Sequence, residues 1–450
     1  MSSNSHLKVA IIGGGIGGLH LAIALTQMRP DAIVDVYESQ PELSEFGAGL
    51  GLWPRVQEVL SNVGLEEDIN ACLPPEDDAK PMEICRGDKL NAQTWARVPG
   101  MRGLHRRALL ELLAKRASRS PHNATHYSKK LISYVEPSSP EEPIVLTFTD
   151  GTRATCDILV GADGVKSAVR ASMYAQMADK LEIEGAAYEE LKTIRGHVDP
   201  VWAGLTLYRY LMPSADLKGI DPKHPSLTRN LFLQSYGRAL LTYPIDEGRM
   251  INCGALVAQH HLFGTTFSGR WAQPVDQKIV QDLYADFNDQ GRAITDLMKT
   301  PTLWAVNVVP DLPTYVSGRV AVLGDAAHAM VPYMASGAGQ AIEDGYILAT
   351  LLSRTESLPQ LPEALRIYDT IRRPFSQSIQ RKSLHVGIAE LMDERGEVPL
   401  GPTPVYGRLL EDPEVMRSHY QWLLTTSLMP DRDRALEMWE GFRNKLRPEA

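Results

Sequence analysis

The sequence predicts an α/β protein. A unit that opens as βαβ carries an inserted, mostly antiparallel β-sheet unit, and the chain ends in a helical C-terminal region. Three observations predict it. Residues 9–18 read as a buried apolar strand, a glycine turn and the first turn of a helix. Residues 157–170 and 319–344 repeat that grammar, each with an apolar strand, an Asp-Gly or Gly-Asp turn and a following helix. Residues 176–300 change character, breaking into short strand-like runs separated by polar loops.

The first stretch has the spacing G-x-G-x-x-G at Gly13, Gly15 and Gly18, with Ile16 opening the helix. Gly13 permits the tight turn, Gly15 lets the backbone approach a pyrophosphate, and Gly18 lets the helix pack close to the sheet. The helix start directs unpaired N–H groups and a partial positive charge at such an anion. A second strand at 33–37 ends in Glu38, placed to accept hydrogen bonds from ribose hydroxyls. Glycines then alternate at Gly47, Gly49 and Gly51, which predicts backbone lying close to a ligand or to packed sheet.

A short helix is expected at 55–63. The loop-rich segment 73–100, with Pro74-Pro75 and acids at 76–78, is expected to leave the nucleotide-binding unit and pair with a distant sheet. Apolar positions 104, 108, 109, 112 and 113 fit one helical face, with Arg106 at its start. Arg106 is either a solvated helix arginine or a contact for a phosphate or flavin. A hairpin is expected at 144–156 around Asp150-Gly151. The strand from Asp157 then meets the turn Ala162-Asp163-Gly164 and a helix carrying Ser167 and Arg170.

Within 176–300, strands are expected at 204–210, 231–235, 240–243 and 251–257, a polar loop at 213–229 and one helix at 275–288. His260-His261, taken as strand, would face opposite sides, which is poor geometry for a shared metal. In the third signature Asp325 ends a strand, and a glycine loop through Gly337, Ala338 and Gly339 offers N–H groups to a pyrophosphate or a flavin ring. Helical sequence continues to residue 450, broken near 399–404.

The 450 residues carry a net charge of −9 and are 44% hydrophobic, enough for a sizeable core. No basic run is long enough for nucleic acid or an anionic membrane surface. No apolar run approaches the length of a membrane span. Cys72, Cys85, Cys156 and Cys253 show no paired spacing, so neither a disulfide framework nor a metal site is expected. The polar lead from Met1 to His6 runs straight into the first strand and does not read as a signal peptide. The expectation is a cytoplasmic protein, monomeric or homodimeric.

Together, the Gly13–Gly18 motif with Glu38, the run at 157–170 and the run at 324–332 resemble the single-component FAD-dependent aromatic hydroxylases, the group A flavoprotein monooxygenases. The resemblance covers nearly the whole chain with the motifs in order. Leu207-Tyr208-Arg209-Tyr210 and Tyr243-Pro244 are similar to the salicylate hydroxylase-like branch. The sequence lacks the W-x-W-x-I-P signature of flavin halogenases and the redox cysteine pair of flavin disulfide reductases.

The resemblance implies a Rossmann-like FAD-binding domain formed by 1–73, 101–175 and 301–390. It implies a substrate domain formed by 74–100 and 176–300, and a helical tail at 391–450. It implies that Glu38 holds the adenosine ribose and that Arg106 contacts FAD near the phosphates and ribitol. Asp163 would serve both FAD and a transient NADH or NADPH. Asp325 would bind ribitol or pyrophosphate, and Pro332 with Gly337, Ala338 and Gly339 would lie along the isoalloxazine.

The chemistry implied is NAD(P)H- and O2-dependent hydroxylation of a small phenolic substrate through a C4a-hydroperoxyflavin, as plain, decarboxylative or dearomatising attack. Such an electrophile demands a phenolate. Arg209 is the candidate for stabilising it, since a permanent cation lowers a nearby phenol's pKa. A surface salt bridge is the competing reading for Arg209. Tyr243 is either a second hydrogen-bonding partner or a core tyrosine. Two alternatives stand beside this reading: flavin-dependent epoxidation or prenyl-chain reduction on the same fold, and a non-catalytic nucleotide-binding protein.

Overall fold

The computed structural model describes residues 6–43, 49–73, 80–90, 94–139, 141–391 and 412–446. The chain begins with β1 (Lys8–Ile12), α1 (Ile16–Met28) and β2 (Ile33–Tyr37), the βαβ unit expected from the glycine spacing. β3 (Gly49–Leu52), α2 (Pro54–Asn62) and α3 (Glu66–Asn70) follow. The chain crosses to β4 (Met82–Arg86) and β5 (Thr94–Val98), then returns through β6 (Arg102–His105) and α4 (Arg106–Ala117). The expected helix face at 104 is corrected here. Leu104 belongs to β6, which pairs with β3, and the helix begins at Arg106.

β7 (Asn123–His126) joins the first sheet. β8 (Leu131–Val135), β9 (Ile144–Phe148) and β10 (Arg153–Cys156) form a small antiparallel sheet that contains the expected hairpin. β11 (Ile158–Gly161) leads into α5 (Ala168–Ile183), which runs across residue 175, and then α6 (Tyr188–Arg195). The inserted sheet holds β12 (Val201–Pro213), β13 (Asn230–Ser235), β14 (Arg238–Ile245) and β15 (Met250–Ala258). The loop expected at 213–229 contains α7 (Ser214–Ile220) and a 3-10 turn at Pro225–Leu227.

β16 (Ala272–Pro274) precedes two helices, α8 (Gln277–Leu283) and α9 (Asp289–Thr295), in place of the single helix expected at 275–288. Two anchors break it. Tyr284 Oη donates to the carbonyls of Ala239 and Leu256, and Asn288 caps α9 by accepting from Gly291 N–H. His260 and His261 lie in a 3-10 turn rather than a strand. β17 (Thr302–Val308), β18 (Val316–Ser317) and β19 (Val320–Val322) return to the first unit. α10 (Asp325–His328), α11 (Gly337–Leu352), α12 (Leu361–Glu390), α13 (Pro413–Thr425) and α14 (Met429–Leu446) complete the described chain. The expected breaks at 74–78 and 399–404, and Gly47, lie outside the described residues.

The first sheet has the order β18-β19-β11-β1-β2-β7, parallel except for β18. Its central strands β1, β11 and β19 read as near-continuous apolar runs because both faces are covered, as in β11, where all four residues are buried. The second sheet has the order β16-β17-β12-β15-β14-β13-β4-β5 and is antiparallel except where β13 pairs with β4. On it, alternate residues take opposite faces. Tyr208, Leu240, Ile251 and Cys253 join a core closed by Val280 of α8 and Ile294 of α9. The residues between them face the other way, toward the nucleotide-binding unit.

Candidate active site

That second face forms the roof of one cavity of about 1810 Å³, whose floor is the carboxyl edge of the first sheet. The three sequence signatures meet there. Gly13, Gly15, Ile16 and Glu38 line it, as do Asp163 and Asp325. Gly13 sits at φ +109°, where a side chain would also strike the Ala162 carbonyl, so the turn requires glycine. A Cβ at Gly15 would meet nothing within 4 Å, and α1 begins there without a side-chain cap. The first N–H groups of α1 therefore face an open cradle. Gly18 lies behind the wall; a Cβ there would run into the Gly13 carbonyl, so it serves helix packing.

Glu38 is held by its own loop. Its Oε2 accepts from Gly14 N–H at 2.8 Å and its Oε1 from Gln40 N–H at 2.8 Å, which fixes the carboxylate at the cavity edge. Asp163 also has an intramolecular task. It accepts from Ser167 Oγ and from Ala168 N–H at 2.7 Å, capping the start of α5. Burial raises its pKa, with Ser167 and the backbone N–H groups opposing. Arg170 of α5 donates to the Ala326 carbonyl at 2.9 Å, tying the second signature to the third.

The third signature supplies a continuous wall from Met330 to Ala338, including Pro332 and Gly337. The glycine loop expected here is corrected: Gly337, Ala338 and Gly339 form the first turn of α11. Their N–H groups remain donors without intrahelical partners. Gly339 is off the cavity, where a Cβ would meet Val56 of α2 at 2.6 Å. Gly51 lines the cavity from β3, and a side chain there would strike the Met101 sulfur. Arg106 lines it from the start of α4 and is exposed to it.

Arg209 and Tyr243 come from the roof. Arg209 opposes Gly254 on β15, and Tyr243 opposes Asn252 on the same strand. Both therefore lie on the cavity face, and both line the cavity. Burial pulls the Arg209 pKa down, Tyr243 opposes this and Arg106 adds to it, so the two arginines feel one another across the space. Guanidinium stays charged under such shifts. Burial pushes the Tyr243 hydroxyl up, partly offset by Arg209 and by the Gly49 backbone, so it remains a neutral donor. The surface-salt-bridge reading of Arg209 does not describe this placement.

Sequence reasoning missed Asn252, Tyr333 and Tyr420, which also line the cavity. Asn252 was findable from the period-2 pattern of β15, in register with Tyr243. Tyr420 carries no local signal: α13 brings it in, and its hydroxyl donates to the Tyr333 carbonyl at 3.1 Å. His328 lies behind the cavity, with Nε2 paired to Asp344 Oδ2 at 2.5 Å. Among the described residues no cluster of three or more His, Cys, Asp or Glu is placed to hold a metal. The four cysteines are free thiols. Among the described residues no helix is long and apolar enough to cross a membrane.

The donor set fits FAD. An open glycine cradle at a helix start suits a pyrophosphate, a fixed carboxylate at the end of β2 suits a ribose, and a second helix start at Gly337 faces the same space. Comparison with known proteins agrees. Residues 6–383 match the FAD binding domain family. The chain is 32% identical to salicylate hydroxylase from Pseudomonas putida, over 94% of this chain and 93% of that one. It is 32% identical to 6-methylsalicylate 1-monooxygenase from Aspergillus terreus, over 84% of this chain and 82% of that one. The solved structure of a salicylate hydroxylase substrate complex superimposes with a TM-score of 0.77 at 26% identity, covering 96% of this chain and 98% of that one.

Proposed function

The chain belongs to the FAD-binding family of flavoprotein monooxygenases and is an FAD-dependent aromatic hydroxylase of the salicylate hydroxylase type, and from that premise we propose that its substrate is a small phenol bound as phenolate by Arg209 and Tyr243. The observation that carries this reading is the placement of that pair on one sheet face, opposite the nucleotide cradle and within one cavity. Bound FAD supplies the redox chemistry, taking electrons from NADH or NADPH and activating O2 for transfer of one oxygen atom to the ring.

The residues of the chain do the rest. The N–H groups at Gly15 and at the start of α11 would hold the phosphates and ring of the cofactor. Arg209 offsets the negative charge of the phenolic oxygen and makes its deprotonation easier. Tyr243, kept protonated, donates to the same oxygen and fixes the ring's orientation. Leu207, Leu241 and Leu256 surround the pair on the roof and exclude water from the ring, which strengthens both interactions. An electron-rich ring results, with its ortho and para carbons open to attack.

The test is oxidation of NADH and NADPH by the purified holoenzyme against salicylate, other hydroxybenzoates and alkylated resorcinols, with products followed by mass. Substrate-stimulated oxidation with a gain of one oxygen is expected. A product that has also lost the mass of a carboxylate identifies decarboxylative attack. Bound flavin with no stimulation by any phenol would overturn the phenol reading.

A further inference from the structure

Three apolar side chains on the cavity roof belong to no core. Leu211, Ile245 and Met250 line the cavity, yet among the described residues they join none of the three hydrophobic clusters. Leu211 is 42% exposed, and Ile245 and Met250 are half-buried. Leucines further back on the same two outer strands behave differently: Leu207 and Leu241 pack against the cluster that contains Phe232 and Leu256. One exposed leucine is ordinary, whereas adjoining apolar side chains left bare on a cavity wall mark a surface that a ligand covers.

The sheet register places these side chains relative to the proposed phenol site. Leu211 lies two residues beyond Arg209 on β12, and Ile245 lies two residues beyond Tyr243 on β14. Two residues along a strand keep the same face and advance about 7 Å. Both strands pair antiparallel with β15, so the two steps run the same way. Met250 lies between them on β15, directly opposite Ile245 and two residues from Asn252, the partner of Leu211. Directly opposed residues have Cβ atoms about 4.5–5.5 Å apart, and diagonal neighbours about 7–8 Å. The three side chains therefore form one uncharged strip across three strands, about 7 Å from the Arg209–Tyr243 pair. The strip runs toward the β14–β15 hairpin tip, where Asp246, Glu247 and Gly248 are exposed.

From this geometry we infer that Leu211, Ile245 and Met250 form a subsite for an apolar substituent of the substrate. A ring held by Arg209 and Tyr243 directs a group on its outward side along the strip, and an alkyl chain of several carbons covers it. The inference rests on the phenol reading above and adds a substrate feature that salicylate lacks. Salicylate would leave all three side chains bare.

The experiment is a binding titration of the oxidised holoenzyme, read as perturbation of the flavin absorption band. The ligands are salicylate and its methyl, propyl and pentyl homologues, with the chain at ring position 4 in one series and 5 in the other. It needs no turnover. In wild type, at least one series is expected to tighten by up to about fourfold per methylene, the change produced by about 0.8 kcal/mol. Met250→Gln and Leu211→Asn keep size and add polarity. Each is expected to reduce that increment to less than about twofold, measured relative to salicylate in the same variant.

A wild type indifferent to chain length overturns the inference and leaves the phenol reading standing. So does an increment that survives both variants, or a variant that weakens salicylate and its homologues by one common factor. Sedimentation velocity of the ligand-free holoenzyme checks the other occupant: self-association abolished by Leu211→Asn would give the strip to a second copy of the chain and overturn the subsite. Failure of every salicylate to perturb the wild-type flavin overturns both readings.

Discussion

Arg209 is the residue on which the proposed chemistry turns, and its environment makes the role separable from general positive charge. It is the cation that the roof presents beside the neutral hydroxyl of Tyr243. A cation within about 4–6 Å shifts a phenol's pKa down by about 1–3 units. Replacing it by glutamine, which keeps hydrogen-bonding capacity and drops the charge, raises the substrate's pKa by that amount. Less phenolate is then present at any pH below the new value. The acid limb of kcat/KM for Arg209→Gln is therefore expected to move about 1–3 units toward alkaline pH, with NAD(P)H oxidation uncoupled from product. A limb that stays in place, measured alongside coupling across the neutral to alkaline range, would remove Arg209 from this role. At this scale, residues inside a local grammar were legible: Gly13 and Gly15 from turn chemistry, Glu38 from its place at a strand end. Tyr333 and Tyr420 were not, because only tertiary packing brings α13 over the cavity.

The elements divide in the same way. Strands and turns that answer to a two-residue period or to a glycine were readable, which is why β11, the β9–β10 hairpin and the four long strands of the roof were expected. Elements fixed by distant partners were misread. Leu104 fits a helical face by spacing, yet pairing with β3 makes it strand, and the Tyr284 hydroxyl splits what periodicity joins into α8 and α9. Helix α1 shows a further feature that periodicity hides. Its His20 is fully buried against Gly345 of α11, and among the described residues neither ring nitrogen has a hydrogen-bond partner. Burial depresses its pKa from 6.5 to about 3. The folded state thus keeps it neutral while the unfolded chain binds a proton below pH 6.5, so its contribution is complete above 6.5 and is lost as pH falls toward 3. At about pH 5 the loss is about 2 kcal/mol. His20→Leu is expected to flatten the pH dependence of denaturant stability by that amount at fixed FAD concentration. Parallel wild-type and variant curves would show that the ring is protonated in the fold.

Across the whole molecule, one buried charge network joins the cavity floor to the C-terminal helices. Asp344 of α11 accepts from Gly324 N–H at 3.0 Å, pairs with His328 and receives Arg372 Nε at 2.8 Å. Arg372 also reaches Glu343 at 2.9 Å, and Glu343 receives Arg55 Nε of α2 at 2.8 Å. Arg55 in turn donates to Thr426 Oγ1 and the Ser427 carbonyl, between α13 and α14. Burial would push the Asp344 carboxyl up, but His328, Arg372 and the Gly324 N–H outweigh it and hold it at about 2. A buried carboxylate that stays ionised depends on its partners. Such a network is weak evidence of net stability, since apolar residues of like volume often do as well. Removing one partner is a different matter, because it strands the remaining charges without water. Arg372→Met is expected to cost about 3–5 kcal/mol, with the urea m-value unchanged. It is also expected to weaken FAD retention, because the Gly324–Asp325 turn loses its anchor through Asp344. Denaturation of the holoprotein and flavin release on dilution read the two effects separately. A stability loss under about 1 kcal/mol would mean that Glu343 and Asp344 take up protons when the arginine leaves, and the cavity floor would then be held by packing rather than by charge.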